Sequence, residues 1–416
     1  MKNWRAAILG SVLLAATGHA ADDFIDQLDG ALTVSAMNDW FRARLSGTLD
    51  LEGYHFSQPA PGFIDATGNS LFNPRLSLFL DAQLGESIYF FAQGRVDRGF
   101  DPSDGSATAR VDEYALRLTP SADGRLNVQV GKFATVVGNW VPRHGSWENA
   151  FVTAPLLYEN LTGIWDAVAA RSGAMVLDWA HVKPPSDPRN FPDDKYLRVP
   201  IIWGPSYASG ASLFGEVGEI TYAAEVKNAS LAARPALWDD TEVVWQHPTV
   251  SGRLGWRPDE MWSFGFSASS GPYLRETAAP TLPSDHGLGD YRETVLAQDV
   301  AFAWHHLQFW AEFYEASFAI PGVGNADTFA YYAEVKYRFA PQWSAALRWN
   351  QQTFGDLPDD AGGRETWGAN KWRIDVAPSY RFTAHTQLKL QYSVEHSAIG
   401  PREFSHLIAG QFVVRF

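Results

Sequence analysis

The sequence predicts an all-β chain whose antiparallel strands close into a membrane-spanning barrel. Three observations predict it. Segments of about ten residues alternate apolar and polar side chains. The connections between them alternate short and long along the chain. The last segment, "LIAGQFVVRF", carries Ile408, Phe412, Val414 and Phe416 on one face and stops there, although a chain end in water normally frays.

At the start, "MKNWRAAILGSVLLAATGHA" sets Lys2 and Arg5 before an apolar run from Ala6 to Ala16 and small residues around Ala20. That is the pattern of a secretory leader, residues 1–20, cut after Ala20 or Ala21. The run is about half the ~20 residues that a spanning helix needs. Residues 21–43 then form a periplasmic segment. Its Phe24, Ile25, Leu28, Leu32 and Met37 suit a short helix or a peptide closing the base.

The barrel occupies 44–416. Strands are expected near 44–53, 75–84, 88–97, 111–119, 125–133, 207–217, 219–228, 249–257, 262–272, 293–304, 307–317, 328–339, 343–354, 372–382, 386–396 and 407–416. In "TQLKLQYSVEH", Leu388, Leu390, Tyr392 and Val394 face one way and Gln387, Lys389, Gln391 and Glu395 the other. In "WRIDVAPSYRF", Trp372, Ile374, Val376 and Tyr380 oppose Arg373, Asp375 and Arg381. This gives about 16 strands, even as a bacterial barrel requires, with both ends on the periplasmic side. A hairpin inside 161–182 would make about 18, but alternation there is poor and 16 is preferred.

The connections set the orientation. Tight turns at 85–87, 120–124, 257–260, 305–306, 340–342 and 383–385 alternate with long polar stretches at 55–74, 99–108, 229–248, 274–292, 319–327, 355–371 and 398–406. Short periplasmic turns and longer outer loops are the rule for outer-membrane barrels. Trp256, Trp262, Trp304, Phe339, Trp343 and Phe382 flank the short turns, as an interfacial girdle does.

Composition agrees. Cys 0 excludes disulfides and thiolate metal sites. The formal charge of −14 becomes about −16 without Lys2 and Arg5, which argues against nucleic acid as a partner. A 14% aromatic content accompanies a mean hydropathy of only −0.20, as expected when a lipid-facing surface is diluted by a polar lumen.

Polar strand positions should line that lumen. Arg75, Arg95, Arg117, Arg253, Lys336, Arg338, Arg348, Arg373 and Lys389 are basic candidates, and Glu334 and Asp375 stand among the acidic ones. The signs nearly cancel, which suits a wall of mutual ion pairs or a transverse field; no uncompensated basic cluster is visible. The connection 134–206 is too long to be idle. It carries Trp140, Arg143, His144, Trp147, Glu148, Tyr158 and Glu159, aromatics that would be exposed outside but would line a constriction, or plug it, if folded inward.

No G-x-S-x-G, H-E-x-x-H or Walker pattern occurs. No catalytic residue, metal site or cofactor is assigned.

The terminal "QFVVRF" resembles the C-terminal signature of Gram-negative outer-membrane barrels, which the barrel assembly machinery reads. With the leader and the strand count, the mature chain looks like a porin. "GKFATVVGNWVPRHGSWENAFVTAPLLYENLTGIW", "IIWGPSYASGAS" and "AYYAEVKYRF" resemble a porin-like family of outer-membrane proteins that mostly lack an assigned substrate. The connection after the fifth strand is similar to the inward-folded third loop of general and phosphate-selective porins. The resemblance implies a homotrimer in the cell outer membrane, surrounded by lipid and lipopolysaccharide. It implies a water-filled channel for passive diffusion of small polar or ionic solutes, with no enzymatic activity. Asp356, Asp359 and Asp360 could bridge lipopolysaccharide through divalent ions, though a solvated loop tip explains them as well. A substrate-selective sugar or anion channel, a polymer-export channel, a scaffold and an outer-membrane enzyme are the other readings.

Overall fold

A computed structural model describes residues 25–28, 30–99, 106–121, 123–180, 194–238, 247–398 and 403–416. The expected leader and its cleavage site lie outside these residues, as does most of the Pro-rich stretch after 181. Nineteen strands are described: β1 Thr33–Ala36, β2 Phe41–Phe56, β3 Ser70–Leu84, β4 Ile88–Asp97, β5 Thr108–Leu118, β6 Asn127–Phe133, β7 Ala208–Val217, β8 Ile220–Lys227, β9 Thr249–Trp256, β10 Trp262–Pro272, β11 Arg292–Trp304, β12 Leu307–Ile320, β13 Gly324–Arg338, β14 Trp343–Phe354, β15 Asp356–Pro358, β16 Arg364–Thr366, β17 Lys371–Arg381, β18 Thr386–Ser397 and β19 Phe404–Arg415. A helix, α1, spans Gly173–Ala180, and residues 25–28 are helical as well.

Sixteen of the strands pair antiparallel in sequence order and close when β19 meets β2. The short β1 pairs with the start of β2, Thr33 opposite Arg44 through Ala36 opposite Phe41. It continues the sheet below the point where β19 ends. β15 and β16 form a separate hairpin in an outer loop.

Burial runs opposite to that of a soluble protein. On β2, Leu49 and Leu51 are 39% and 41% exposed, whereas Asp50 and Glu52 are 0% and 1% exposed. Leu80, Leu116, Val130, Leu254, Leu347, Leu390 and Ile408 are likewise exposed on the outer face. An apolar outside around a polar inside requires lipid as the outer solvent. Aromatic rings mark both borders. On the side of the short turns, Phe264 stacks on Trp256 and Trp262, and Trp343 stacks on Phe339 and meets Tyr380 at a tilt. On the other side, Trp349, Trp372, His396 and Phe404 form a ladder. The outward tryptophans fall on β9, β10, β11, β14 and β17, whereas β2–β8 contain no tryptophan at all.

The terminal phenylalanine is held at the seam. Gly47 N–H donates to the Phe416 carbonyl (2.9 Å), and Phe416 N–H donates to the Gly47 carbonyl (3.0 Å). The Phe416 ring lies over Gly47 on the outer face. A Cβ at Gly47 would come within 2.6 Å of the ring and 2.7 Å of the Ser77 carbonyl.

One expectation is corrected. Residues 319–327 are not a long loop: β12 and β13 run on into a tight hairpin in which Gly322 and Gly324 take φ of 77° and 124°. The preferred count of 16 holds: the described residues 161–180 carry α1 and no strand, which accounts for their weak alternation.

The apolar core of the molecule is inside the barrel, toward its outer end. Connecting segments supply Trp203, Tyr207, Trp238, Tyr273, Tyr291 and Trp367, all essentially inaccessible. Asp166 ties three of these segments together through Arg234 and Arg275 (3.0 Å to Arg275).

Candidate functional site: the lumen and its inward loop

The connection that leaves β6 crosses the lumen over its described residues, 134–180 and 194–207. Its start is possible because Gly138 has no side chain: with φ of 80°, a Cβ there would sit 2.1 Å from the Tyr314 hydroxyl. The loop then follows the inward polar residues of the far wall. Thr135 donates to Glu225 (2.8 Å). The backbone N–H of Trp140 (2.7 Å) and the Tyr158 hydroxyl (2.7 Å) both donate to Glu312. Arg143 donates to Glu334 and to the Tyr332 hydroxyl (both 2.8 Å) and lies over Trp310.

Further round, barrel side chains bind the loop backbone. Lys389 donates to the carbonyls of Ser146, Asn149 (3.0 Å) and Phe151 (3.4 Å). Gln391 accepts from the N–H of Val152 (2.7 Å) and Thr153 (3.1 Å). Arg348 donates to the carbonyls of Thr153 and Ala154 (3.1 Å each) and covers the Phe151 ring. Arg373 reaches Ala154 (2.6 Å) and Glu159. Most of the backbone groups named here are thereby satisfied over a long irregular segment, which is what allows it to stay inside, although the Trp140 and Trp165 indole N–H groups are buried without a partner among the described residues.

Because the loop lies against β8–β18, the open space falls on the other side, along β2–β6. A cavity of about 1150 Å³ runs there. Its lining extends from Asp65 and Arg98 at the outer end to Arg44, His385 and Arg415 at the inner end. Along β2, Arg44 to Tyr54 is about 33 Å of strand, or about 25 Å of height once tilted. That is the thickness of the apolar band. A side cavity of about 500 Å³, lined in part by Arg253 and Arg257, adjoins it near β7–β9.

The open wall is a network of ion pairs. Arg75 bonds Asp50 (2.8 Å) and Glu52. Arg95 and Arg110 share Asp97 and Asp112, with Arg95 2.7 Å from Asp97 and Arg110 2.8 Å from Asp112. A register shift at Gln93/Gly94 turns both Asp112 and Glu113 inward. Glu113 accepts the Ala134 N–H (2.8 Å) and so fixes the point where the loop departs.

Apart from Arg143, which pairs with Glu334 on the far wall, and Arg253, which lines the side cavity, the candidate residues divide into three groups. Arg75, Arg95, Arg117, His144, Trp147, Glu148, Tyr158 and Glu159 line the cavity. Glu334, Arg348, Arg373, Asp375 and Lys389 point into the barrel but lie beneath the loop, almost fully buried; they brace it instead of meeting the solution. Lys336 and Arg338 are placed toward the short-turn end of β13. Alternation alone did not single out Asp112, Arg110 or Asn350. Nor did it find the outer segment 57–69, whose Phe63 stacks on Trp203 at 5.1 Å and whose Ile64 carbonyl accepts from Lys195 (2.7 Å).

His144, on the loop and not on a spanning strand, is neutral. Burial pushes its imidazole down to about 4. Nδ1–H donates to the Val141 carbonyl, and Nε2 accepts the Tyr207 hydroxyl (2.6 Å). No group of three or more His, Asp or Glu side chains among the described residues is placed to hold a metal ion.

OmpF of Salmonella typhi, in complex with daunomycin, matches with a TM-score of 0.55 at 11% identity over 92% of this chain and 100% of its own. The chain has the fold of an outer-membrane porin. An anion-selective porin from Comamonas acidovorans gives 0.54 at 10% identity, covering 90% of this chain and 100% of that one. OmpT of Vibrio cholerae in a trimer form gives 0.55 at 9%, covering 91% and 100%. No protein-family model and no curated protein sequence matches the chain.

Proposed function

We propose that this chain is an outer-membrane porin, a non-enzymatic, water-filled channel for passive diffusion of small polar or ionic solutes. The observation that carries the reading is the cavity along β2–β6, whose charged lining reaches from the outer to the inner ends of the strands. Sixteen strands leave an aqueous bore where about eight would be filled by side chains. The braced loop narrows that bore to one side, so segment 134–206 acts as the constriction. In this reading residues 1–20 are the export leader, and lipid, lipopolysaccharide and the barrel assembly machinery are the partners in the membrane. The protein works as a homotrimer. Support for that comes from the trimer form of the Vibrio cholerae OmpT structure.

Planar-bilayer recording of the purified protein tests the function. Discrete, stable conductance steps are expected. A correctly folded protein that inserts yet stays silent would refute the channel and leave a scaffold or an enzyme.

A further inference from the structure

The balanced charge of the lumen conceals a local imbalance. The inward acids of the open wall are engaged: Asp50 and Glu52 with Arg75, Asp97 and Asp112 with Arg95 and Arg110. Beneath the loop, Glu334 and Asp375 hold Arg143, Arg348 and Arg373. The inward cations on the short-turn side of the loop are not matched in this way. Lys336 has no ion pair or hydrogen bond from its ammonium group among the described residues. Arg381 lies over the Trp147 ring at 5.1 Å. Arg415 lies over the same ring at 4.1 Å and donates to the Ala384 carbonyl (3.0 Å). Neither guanidinium has a carboxylate partner among the described residues. Arg338 meets only His306 (3.3 Å).

Trp147 organises this group. The loop buries its indole, and its carbonyl accepts from Gln387 (3.2 Å), so the ring is a fixed platform on which two guanidiniums rest. A stacked guanidinium keeps its in-plane N–H donors free for a ligand. Glu148, next in sequence and exposed, is within electrostatic reach of Arg415 and Lys336 and offsets only part of their charge.

We propose that Arg381 and Arg415, stacked on Trp147, together with Lys336 within electrostatic reach of Arg381, form an anion-binding station on the periplasmic side of the loop. It takes the carboxylate or phosphate group of a passing solute and makes the channel prefer anions. The proposal rests on the channel reading and names its solute class. Focusing of a one-sign field in a narrow cleft raises counter-ion concentration by about tenfold or more. The expected anion-to-cation permeability ratio is of that order.

Two measurements test it: reversal potential in a KCl gradient, and calorimetric binding of inorganic phosphate to the detergent-solubilised protein. The wild type should reverse with the anion sign, and phosphate should bind and reduce chloride current. The combined variant Lys336→Gln, Arg381→Gln, Arg415→Gln should bring the ratio to about one and abolish phosphate binding, while Glu148→Gln should increase anion preference. Malate in place of phosphate distinguishes dicarboxylate from phosphate solutes. A channel that conducts without anion preference, or a triple variant that retains it, overturns the station and leaves the channel standing. Absence of conductance refutes the channel; phosphate binding that depends on the three cations would then still uphold the station, and its absence would overturn that too.

Discussion

Replacing Arg348 by Met should release the loop without opening the barrel. The guanidinium is 0% exposed and joins two structures: Asp375 at 2.8 Å on the wall, and the carbonyls of Thr153 and Ala154 at 3.1 Å on the loop. Hydrogen bonds from a charged donor contribute about 1.5–3 kcal/mol each, so the two to the loop account for about 3–6 kcal/mol of its docking. Breaking a buried ion pair costs a similar ~3–5 kcal/mol. Asp375 is left less exposed to that penalty than usual, because Arg373 (3.0 Å), Asn350 (2.9 Å) and Ser393 (2.6 Å) still contact it. A net loss of about 3–4 kcal/mol lowers the ratio of docked to released loop by about 10²–10³. The strand ladder is untouched, so the heat-modifiable band of the folded barrel on gels should persist. Single-channel recording should show larger mean conductance and greater open-channel noise. Arg348→Lys, which keeps the charge but loses the fork, should fall between. Wild-type conductance and noise in a folded Arg348→Met barrel would refute the bracing role.

Other sites give sharper or milder outcomes. Gly138→Ala places a methyl group against the Tyr314 hydroxyl and should mimic Arg348→Met in noise while also lowering yield; unchanged channels would show that the loop takes another path. Gly47→Val drives a side chain into the Phe416 ring and the Ser77 carbonyl, and should slow closure of the barrel, read as a longer-lived unfolded band in refolding gels. Desolvation holds the half-buried His144 imidazole down at about 4, below its ordinary 6.5. A released loop therefore takes up the proton first, docking is fully present above about pH 6.5, and it is lost as pH falls toward 4. Channel noise should rise over that window in the wild type and less so in His144→Gln.

Much of the fold was legible because a strand has period two and one of its faces must meet lipid. Leu388, Leu390 and Tyr392 against Lys389 and Gln391 could be read from spacing alone. The path of the loop could not, because its partners are remote in sequence: Ala154 and Arg348 are 194 positions apart. Lys389 and Arg373 therefore read as pore lining, although the loop backbone covers them. The register shift at Gln93/Gly94 breaks the alternation that would have sent Asp112 outward. Charge counting failed for a related reason. Parity gives the sign of the inward residues but not who holds whom, so an unmatched group around Trp147 disappeared into a balanced total. The hairpin at 321–323 was hidden by Pro321 and Gly322 and by Gly324, Asn325 and Asp327, which belong to the extended start of β13.

The absence of cysteine from the sequence permits the most direct test of where the water runs. Single cysteines are introduced at Thr48, which lines the cavity, at Ser393, buried beneath the loop, and at Leu390 on the outer face. Each variant is exposed to a membrane-impermeant, charged thiol reagent during bilayer recording. Thr48→Cys should react and lose conductance, and the other two should not. Block at Ser393→Cys with Thr48→Cys inert would place the open path on the wrong wall and contradict the account.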